Sequence, residues 1–342
     1  MIPILPPTEA NLRRAAAALA QGGLVSFPTE TVYGLGARAL DAHALARIFE
    51  VKRRPFFDPL IVHIADRRDL ETLCLRPDAR AEKLMERFWP GPLTLVLPKT
   101  DAVPDLATSG LPTVALRMPA HPVALALIRL AGFAVAAPSA NPFGRLSPTT
   151  AEHVQAHFAD GIELILDGGP CSVGVESTIL SLAGGLAERT PVLLRAGGVP
   201  REEIEALIGP VASGAAHPEK PLAPGQLPGH YAPRTLLRIR GESREPLPVM
   251  PGRRGLLAFR KATRNATAGL AGGAADGSDY AAVEILSPSG DLREAAANLF
   301  ACLHRLDRLG LDWIEAEPLP GEGLGAAIMD RLRKAAAGSA EG

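Results

Sequence analysis

Aromatic residues make up only 4% of this 342-residue chain, too few for the stacking platforms on which single-stranded RNA binders lay successive bases. Cysteine is scarcer still. Cys74, Cys171 and Cys302 stand far apart with no CxxC pair, which excludes a disulfide framework or a thiolate zinc site and suits a reducing, cytoplasmic setting. Charge of one sign is not in excess either. The formal net charge is -1, so contact with nucleic acid would rest on a local patch rather than on the field of the whole molecule. No apolar run reaches the length of a bilayer span. The segment Met1-Ile2-Pro3-Ile4-Leu5-Pro6-Pro7 has neither the basic start nor the long apolar stretch of a signal peptide. A cytoplasmic protein with no membrane contact is expected. Hydrophobic residues, in contrast, supply 47% of the chain, ample for a core, and the length favours two domains.

Strand-like and helix-like segments alternate from the start. Asn11 to Gln21 reads as an Ala/Leu-rich helix stopped by Gly22-Gly23. Asp41 caps the next helix, which carries the apolar stripe Leu45, Ile48, Phe49 and which Pro55 ends. Strands are predicted at Leu24 to Phe27, Leu60 to Ile64, Leu93 to Leu97, Val114 to Met118, Phe133 to Ala137, Glu163 to Leu166, Thr178 to Leu182 and Val192 to Arg195. Thr149-Thr150-Ala151-Glu152 has capping-box spacing and predicts a helix through Phe158. Residues 1–207 therefore predict an α/β domain, a twisted mixed sheet with helical cover.

After Leu207 the composition shifts. Gly209 to Gln226 is rich in Pro, Gly, Ala and Ser and is predicted as a linker, taken as 208–234, that ends in the distinctive string Pro228-Gly229-His230-Tyr231-Ala232-Pro233. Over 235–342 a smaller α/β pattern follows. Strands fit Leu236 to Ile239, Gly255 to Phe259, Val283 to Leu286 and Trp313 to Ala316, with helices from Asp291 to Leu309 and Gly325 to Ala336. Strands separated by helices predict a small parallel, Rossmann-like sheet.

Two segments look chemical. Phe27-Pro28-Thr29-Glu30-Thr31-Val32-Tyr33-Gly34-Leu35-Gly36 and Pro138-Ser139-Ala140-Asn141, the latter closing with Ser147-Pro148-Thr149, each follow a predicted strand. In open α/β sheets that is where ligands sit. Between them lies Lys52-Arg53-Arg54. Basic residues at a helix end are favoured by the dipole anyway, but Pro55-Phe56-Phe57-Asp58-Pro59-Leu60 leads directly into a strand and turns these charges to the sheet edge. Hydroxyls, an amide and cations together predict a site for an anionic, phosphate-bearing molecule. Bland alternatives exist for each part: turn hydroxyls that bond their own backbone, helix caps, and a strand histidine, His63, packed in a core. Arg117 is harder to explain that way. A buried arginine needs a carboxylate, and Glu30, Glu176 or a substrate could supply it. Gly321-Glu322-Gly323-Leu324-Gly325 lacks the Gly-Lys-Ser/Thr ending of a nucleotide loop and reads as a helix entry. No metal-ligating cluster, serine-centred elbow or HExxH is present in the sequence.

Taken together, Phe27 to Gly36, Lys52-x-Arg54 with Pro59-Leu60-Ile61-Val62-His63, Pro90-Gly91-Pro92-Leu93-Thr94, Arg117-x-Pro119-x-His121-Pro122, Pro138 to Asn141 with Ser147-Pro148-Thr149, Asp167-Gly168-Gly169, Glu176-Ser177-Thr178 and Leu194-Arg195-x-Gly197-Gly198 resemble the L-threonylcarbamoyladenylate synthase family. His230-Tyr231-Ala232-Pro233 and Gly323-Leu324-Gly325 to Met329-Asp330-Arg331-Leu332 fit its long form, a YrdC-type domain with a C-terminal extension. The resemblance implies a nucleotidyltransferase that makes threonylcarbamoyl-AMP and pyrophosphate from L-threonine, bicarbonate or CO2, and ATP with Mg2+. It also implies a downstream tRNA threonylcarbamoyl-transferase complex as recipient, for modification of the adenosine at tRNA position 37, and leaves open a weak tRNA contact. By the same resemblance Thr31, His63, Arg117, Ala137 and Ser177 take L-threonine. Lys52, Arg54, Ser139 and Asn141 are catalytic, and Arg54, Asp58, Thr113, Ser139, Ser147, Arg195 and Tyr231 bind ATP. Such labile intermediates need water kept out, for which a flexible linker carrying His230 and Tyr231 is expected to fold over the site as a lid. The family usually has asparagine where Asp58 stands, and an anion beside a triphosphate needs a base or Mg2+. Two other classes compete: a non-catalytic RNA-binding module using a basic concave face, and a carbamoyl-transferring relative of the hydrogenase-maturation type. The first leaves Thr31, Arg117 and Ser177 without a purpose. The second would need acylphosphatase-like and zinc-finger regions that the sequence lacks.

Overall fold

The computed structural model describes residues 1–183, 190–214, 221–227, 229–242, 252–261 and 280–339. The chain divides into two compact units, Met1–Phe143 with Ser147–Leu227, and Gly144–Leu146 with Pro228–Gly342. Of the predicted linker, 215–220 and Pro228 lie outside the described residues.

Among the described residues the first unit is built on one sheet of β1 (Ile4–Leu5), β2 (Val25–Phe27), β3 (Gly34–Arg38), β4 (Ile61–His63), β5 (Leu93–Pro98), β6 (Thr113–Arg117), β7 (Val135–Ala136), β8 (Leu164–Leu166), β9 (Thr178–Ser181), β10 (Val192–Arg195) and β11 (Ala212–Ser213). The order across it is β1-β8-β2-β3-β7-β4-β6-β5-β9-β10-β11. Parallel pairs such as β4 with β6 and β5 with β9 alternate with antiparallel ones such as β5 with β6. The sheet is mixed, as predicted.

Side chains on a strand alternate between faces, and the alternation decides where the site lies. Val62, Leu93, Leu95, Leu97, Val114, Leu116 and Leu180 point into the largest core, which also takes Leu45, Ile48 and Phe49 from the helix Ala42–Lys52 and Leu84, Met85 and Phe88 from the helix Ala79–Phe88. Their neighbours Ile61, Val96, Ala115, Ile179 and Leu194 form a separate small apolar floor on the opposite face, joined by Ala223. On that second face the two-residue period also places His63, Thr94 and Arg117. β10 breaks the period with a bulge. Its register to β9 runs Leu193 with Leu180 and then Arg195 with Ile179, so Leu194 and Arg195 both turn to the floor side.

Several predicted boundaries move. The run Phe27 to Gly36 is not all loop, since Gly34 onward is β3. A Cβ on Gly36 would stand 2.7 Å from Phe27 and 2.8 Å from Val135, so glycine there serves strand packing. The helix after Ser147-Pro148-Thr149 is capped by Thr150, whose Oγ1 accepts from His153 N at 3.3 Å, and not by a Thr149–Glu152 box. Arg53 adopts the left-handed conformation (φ 51°) just past the helix Ala42–Lys52 and is exposed, whereas Lys52 and Arg54 are buried. Inside the predicted linker, β11 pairs in parallel with β10, and Leu222 and Ala223 N–H both donate to the Gln226 side chain.

The second unit holds a four-stranded, all-parallel sheet of β12 (Leu236–Ile239), β13 (Arg254–Ala258), β14 (Ala282–Ile285) and β15 (Trp313–Ala316), in the order β12-β15-β13-β14. The helix Leu292–Asp307, capped by Asp291, lies against β13 and β14, and the helix Leu324–Ser339 lies against β12. Within this unit the Tyr231 ring meets Phe300 at 5.8 Å between centroids, and the Arg331 guanidinium lies 5.1 Å from its centre.

The turn after β10 is packed tightly on the strand that carries the site. Gly198 N–H donates to Glu176 O at 3.0 Å, and a Cβ on Gly197 would stand 2.3–2.4 Å from the backbone of Glu176, Ser177 and Thr178. Backbone cannot yield as a side chain can. Gly197→Ala is expected to cost about 2–4 kcal/mol, read as a lowered denaturation midpoint in urea; an unchanged midpoint would show that this turn is not tightly packed.

Candidate active site

The loop between β2 and β3 is tied by its own hydroxyls. Thr29 Oγ1 donates to Val32 O at 2.7 Å and accepts from the N–H groups of Thr31 and Val32. Thr29 thus matches the bland expectation for a turn. Thr31 does not. Its Oγ1 accepts from Arg117 Nη1 at 3.0 Å and lies 2.8 Å from Thr29 Oγ1. Arginine can only donate and the Thr29 proton is committed to Val32, so the Thr31 proton goes to Thr29. A lone pair of Thr31 remains for a donor on a ligand.

Arg117, at the end of β6, is buried, and its carboxylate is Glu30. Nη2 lies 2.7 Å from Glu30 Oε1, Nε donates to Gly91 O at 3.2 Å, and Glu30 Oε2 accepts from Ala120 N at 3.1 Å. The ion pair is close but not aligned, since neither Arg117 Nη2 nor Glu30 Oε1 has a hydrogen-bond partner among the described residues. Glu176, the other candidate partner, instead accepts from Ser147 Oγ at 2.5 Å. His63 stands beside Arg117 in the β4–β6 register, with its Nδ1 buried and without a hydrogen bond among the described residues. Burial first, and then the Arg117 charge, push its pKa down to about 3, so the ring is neutral at physiological pH.

A second set of cations gathers at the other strands. Lys52 Nζ donates to Ser139 O at 2.6 Å and to Asn141 O, which binds the end of the Ala42–Lys52 helix to the loop after β7. Burial, and then the Arg54 charge, hold the Lys52 ammonium well below its ordinary pKa. Arg54 donates to Asp58 O at 3.0 Å and Pro59 O at 2.7 Å and pairs with Asp58 Oδ2 at 2.9 Å. Asp58 is fully buried, and Arg54, Lys52 and Arg195 all act on its charge. Burial outweighs them and leaves its pKa raised. Arg195 Nε and Nη2 donate to Ser177 O at 3.1 and 2.9 Å, Nη2 also to Ser177 Oγ at 3.1 Å, and Nη1 to Pro224 O at 3.1 Å.

Most of the predicted residues therefore form one belt of contacts: Thr31 on Arg117, Arg117 beside His63, Arg195 on Ser177, and Arg54 and Lys52 about Asp58, on whose charge Arg195 also acts. Ser139 forms an isolated bridge with Gly34, and Ala137 N–H donates to Ile61 O at 2.9 Å. Both contribute backbone to the belt. Thr113 lies at the opposite end of β6 from Arg117, in register with Pro98. Ser147 is held on Glu176. Tyr231 belongs to the second unit. Glu30 was only one of three possible partners in the sequence, and Thr94, whose Oγ1 lies 2.7 Å from Ser177 Oγ, carried no signal there beyond its place after Pro90-Gly91-Pro92-Leu93.

The chain is similar over nearly all its length to known proteins. The family model described as "Telomere recombination" matches residues 17–197, and that of the threonylcarbamoyl-AMP synthase C-terminal domain matches 199–337. The threonylcarbamoyl-AMP synthase of Pyrococcus abyssi (strain GE5 / Orsay) is 46% identical over 335 residues, 96% of this chain and 94% of its own. The chain belongs to the threonylcarbamoyl-AMP synthase family. Its relative in Bacillus subtilis (strain 168), of the same name, is 47% identical over 341 residues, 98% of this chain and 95% of its own. The crystal structure of P. abyssi Sua5 complexed with L-threonine matches with a TM-score of 0.85 and 43% identity, covering 98% of this chain and 97% of that one.

His63 gives a pH test. A histidine whose folded pKa lies below its unfolded value stabilises fully above the unfolded pKa, and that stability is lost as pH falls towards the folded one. Between about 6.5 and about 3, His63 is expected to steepen the loss of unfolding free energy by up to ~1.4 kcal/mol per pH unit. Urea titrations at pH 7, 6 and 5 should show a shallower slope for His63→Gln; equal slopes would mean that the ring protonates in the folded state.

Proposed function

We propose that this protein is a threonylcarbamoyl-AMP synthase, a nucleotidyltransferase that adenylylates the N-carboxylate of L-threonine. One observation carries the proposal. Two sets of buried donors, Arg117 with Thr31 and Lys52 with Arg54 and Arg195, are joined through Ser177, which Arg195 bonds and which contacts Thr94 opposite Arg117, in a chain that aligns nearly end to end with named synthases.

The chemistry follows from charge. The L-threonine carboxylate docks on the N–H groups of Arg117 that Gly91 and Thr31 leave free, with Ser177 beside it and the Thr31 lone pair accepting from the substrate. Neutral His63 adds no charge to this end. The neutral amino group adds CO2 and gives up a proton to water, or condenses with bicarbonate with loss of water, to give a carbamate. One carbamate oxygen then attacks the α-phosphorus of MgATP. A carbon-bound oxygen gains a bond to phosphorus, the bond between the α- and β-phosphates breaks, and pyrophosphate leaves. Carbamate and triphosphate are both anions, so Lys52, Arg54 and Arg195 must neutralise them before they can meet. Among the described residues no three His, Cys, Asp or Glu side chains converge as a metal site, and Mg2+ is taken as part of the MgATP substrate. Ser139 and Asn141 shape the reacting end through the loop that Lys52 holds. We assign the next step to a tRNA threonylcarbamoyl-transferase complex, which would receive the labile mixed anhydride.

Pyrophosphate release from MgATP by the purified protein is expected to require both L-threonine and bicarbonate. Arg117→Ala should raise the KM for L-threonine on the order of a hundredfold, and Lys52→Ala should act mainly on kcat. Release independent of L-threonine, or none at all from folded protein, would overturn the proposal. Asp58 gives a separate test. It competes with the triphosphate for Arg54, Lys52 and Arg195, so Asp58→Asn is expected to lower the KM for MgATP by roughly 3–10-fold at low salt, an advantage that added salt reduces. A higher KM would show that the carboxylate assists the nucleotide.

A further inference from the structure

β5 runs between β6 and β9, and Thr94 occupies its centre on the site face. The register of Leu95 with Leu116 sets Thr94 opposite Arg117, and the register with β9 sets it beside Ile179, two residues on from Ser177. Thr94 is fully buried, and its Oγ1 is 2.7 Å from Ser177 Oγ. Ser177 Oγ also receives a hydrogen bond from Arg195 Nη2 at 3.1 Å. Neither hydroxyl has any other hydrogen bond among the described residues.

Two hydroxyl protons therefore share one oxygen-to-oxygen contact, and one proton is left over. If Ser177 donated, the leftover proton would belong to Thr94, a β-branched side chain stiffened by its strand and surrounded by protein, where it would stay without an acceptor at a cost. If Thr94 donates, Ser177 Oγ accepts from both Thr94 and Arg195, and its own proton is directed into the site. A ligand oxygen can satisfy only this second arrangement. We infer that Thr94 is a positioning residue: its hydroxyl fixes Ser177 as an obligate donor towards an acceptor oxygen of the bound amino acid, next to the Arg117 anchor. This rests on the functional reading above, in which Ser177 faces L-threonine. Valine at position 94 would keep the shape and remove the constraint, leaving Ser177 free to turn its proton away.

The test uses the full chain. Binding of L-threonine is measured by titration calorimetry without ATP, and initial rates of pyrophosphate release with it. Thr94→Val is expected to raise the Kd and KM for L-threonine about tenfold, the size of one lost directing hydrogen bond, with kcat and the KM for MgATP within about twofold. Thr94→Ser should recover wild-type values. In the Ser177→Ala background Thr94→Val should add nothing, because both changes remove the same interaction. Should the valine variant unfold, Thr94→Cys, with its weaker donor, is expected to give an intermediate Kd. An unchanged Kd in Thr94→Val, a change confined to MgATP, or additivity with Ser177→Ala would each overturn the inference while wild-type activity stands. A wild-type protein that binds no L-threonine would overturn the functional reading and this inference together.

Discussion

Everything in the first unit is arranged around the difficulty of holding cations out of water. Among its described residues the buried side chains include Lys52, Arg54, Arg117 and Arg195, set against Glu30, Asp58 and Glu176. A buried charge is tolerated only where hydrogen bonds and counter-charges replace the lost water. Backbone carbonyls do much of this: Ser139 and Asn141 for Lys52, Asp58 and Pro59 for Arg54, Gly91 for Arg117, Ser177 and Pro224 for Arg195. Each such bond fixes a loop as well as a charge. The residues that would meet the substrates are thus also the residues that hold the segments after β7 and β11 and those leading into β4, β5 and β9 in place, and electrostatic preorganisation and local stability share the same contacts.

The sheet supplies the second half of the arrangement. Strict alternation on β4, β5 and β6 sends aliphatic residues to the main core and leaves His63, Thr94 and Arg117 on the other face above a small apolar floor. Such a floor excludes water without competing for polar partners, and low local polarity strengthens every interaction made above it. Arg195 joins this face only because of the bulge at Leu194. Without that extra residue it would point with Leu193 into the core, where its five N–H donors could not be satisfied.

These features were unequally legible in the sequence. The mixed first sheet and the small parallel second one followed from strand and helix periods, and Asp41 and Asp291 marked their helix starts at the residues that cap them. Arg117 announced its need for a carboxylate, because burial of a lone guanidinium is costly wherever it occurs. The identity of the partner was not readable, since Glu30 and Glu176 are both near hydroxyl-rich loops and only the tertiary fold brings one of them within 2.7 Å. Arg53 was misjudged for a local reason: the helix ends in a left-handed residue that turns Arg53 outward while its neighbours on either side turn in. Thr94 and the bulge left no trace in composition or period, because a buried threonine in a strand looks like any other β-former.

Asp58 shows how the constraint and the chemistry meet. On the proposed reading, in which Arg54, Lys52 and Arg195 receive the triphosphate, an anion among them is unfavourable once ligand is present, yet it is useful before ligand arrives. Three like charges in a poorly solvated space repel one another, and without an internal counter-charge the lysine would tend to shed its proton and the arginines to swing to solvent. Lys52 already shows the first tendency in its depressed basicity. Asp58 holds Arg54 in place by an ion pair at 2.9 Å and offsets part of the field on the others. An asparagine there could still accept a hydrogen bond but would leave the cations to be neutralised by the ligand alone. On that reading the carboxylate trades some attraction for nucleotide against a site that is already assembled when nucleotide comes, and its raised pKa, set by burial against the pull of the three cations, shows how little water is left to it.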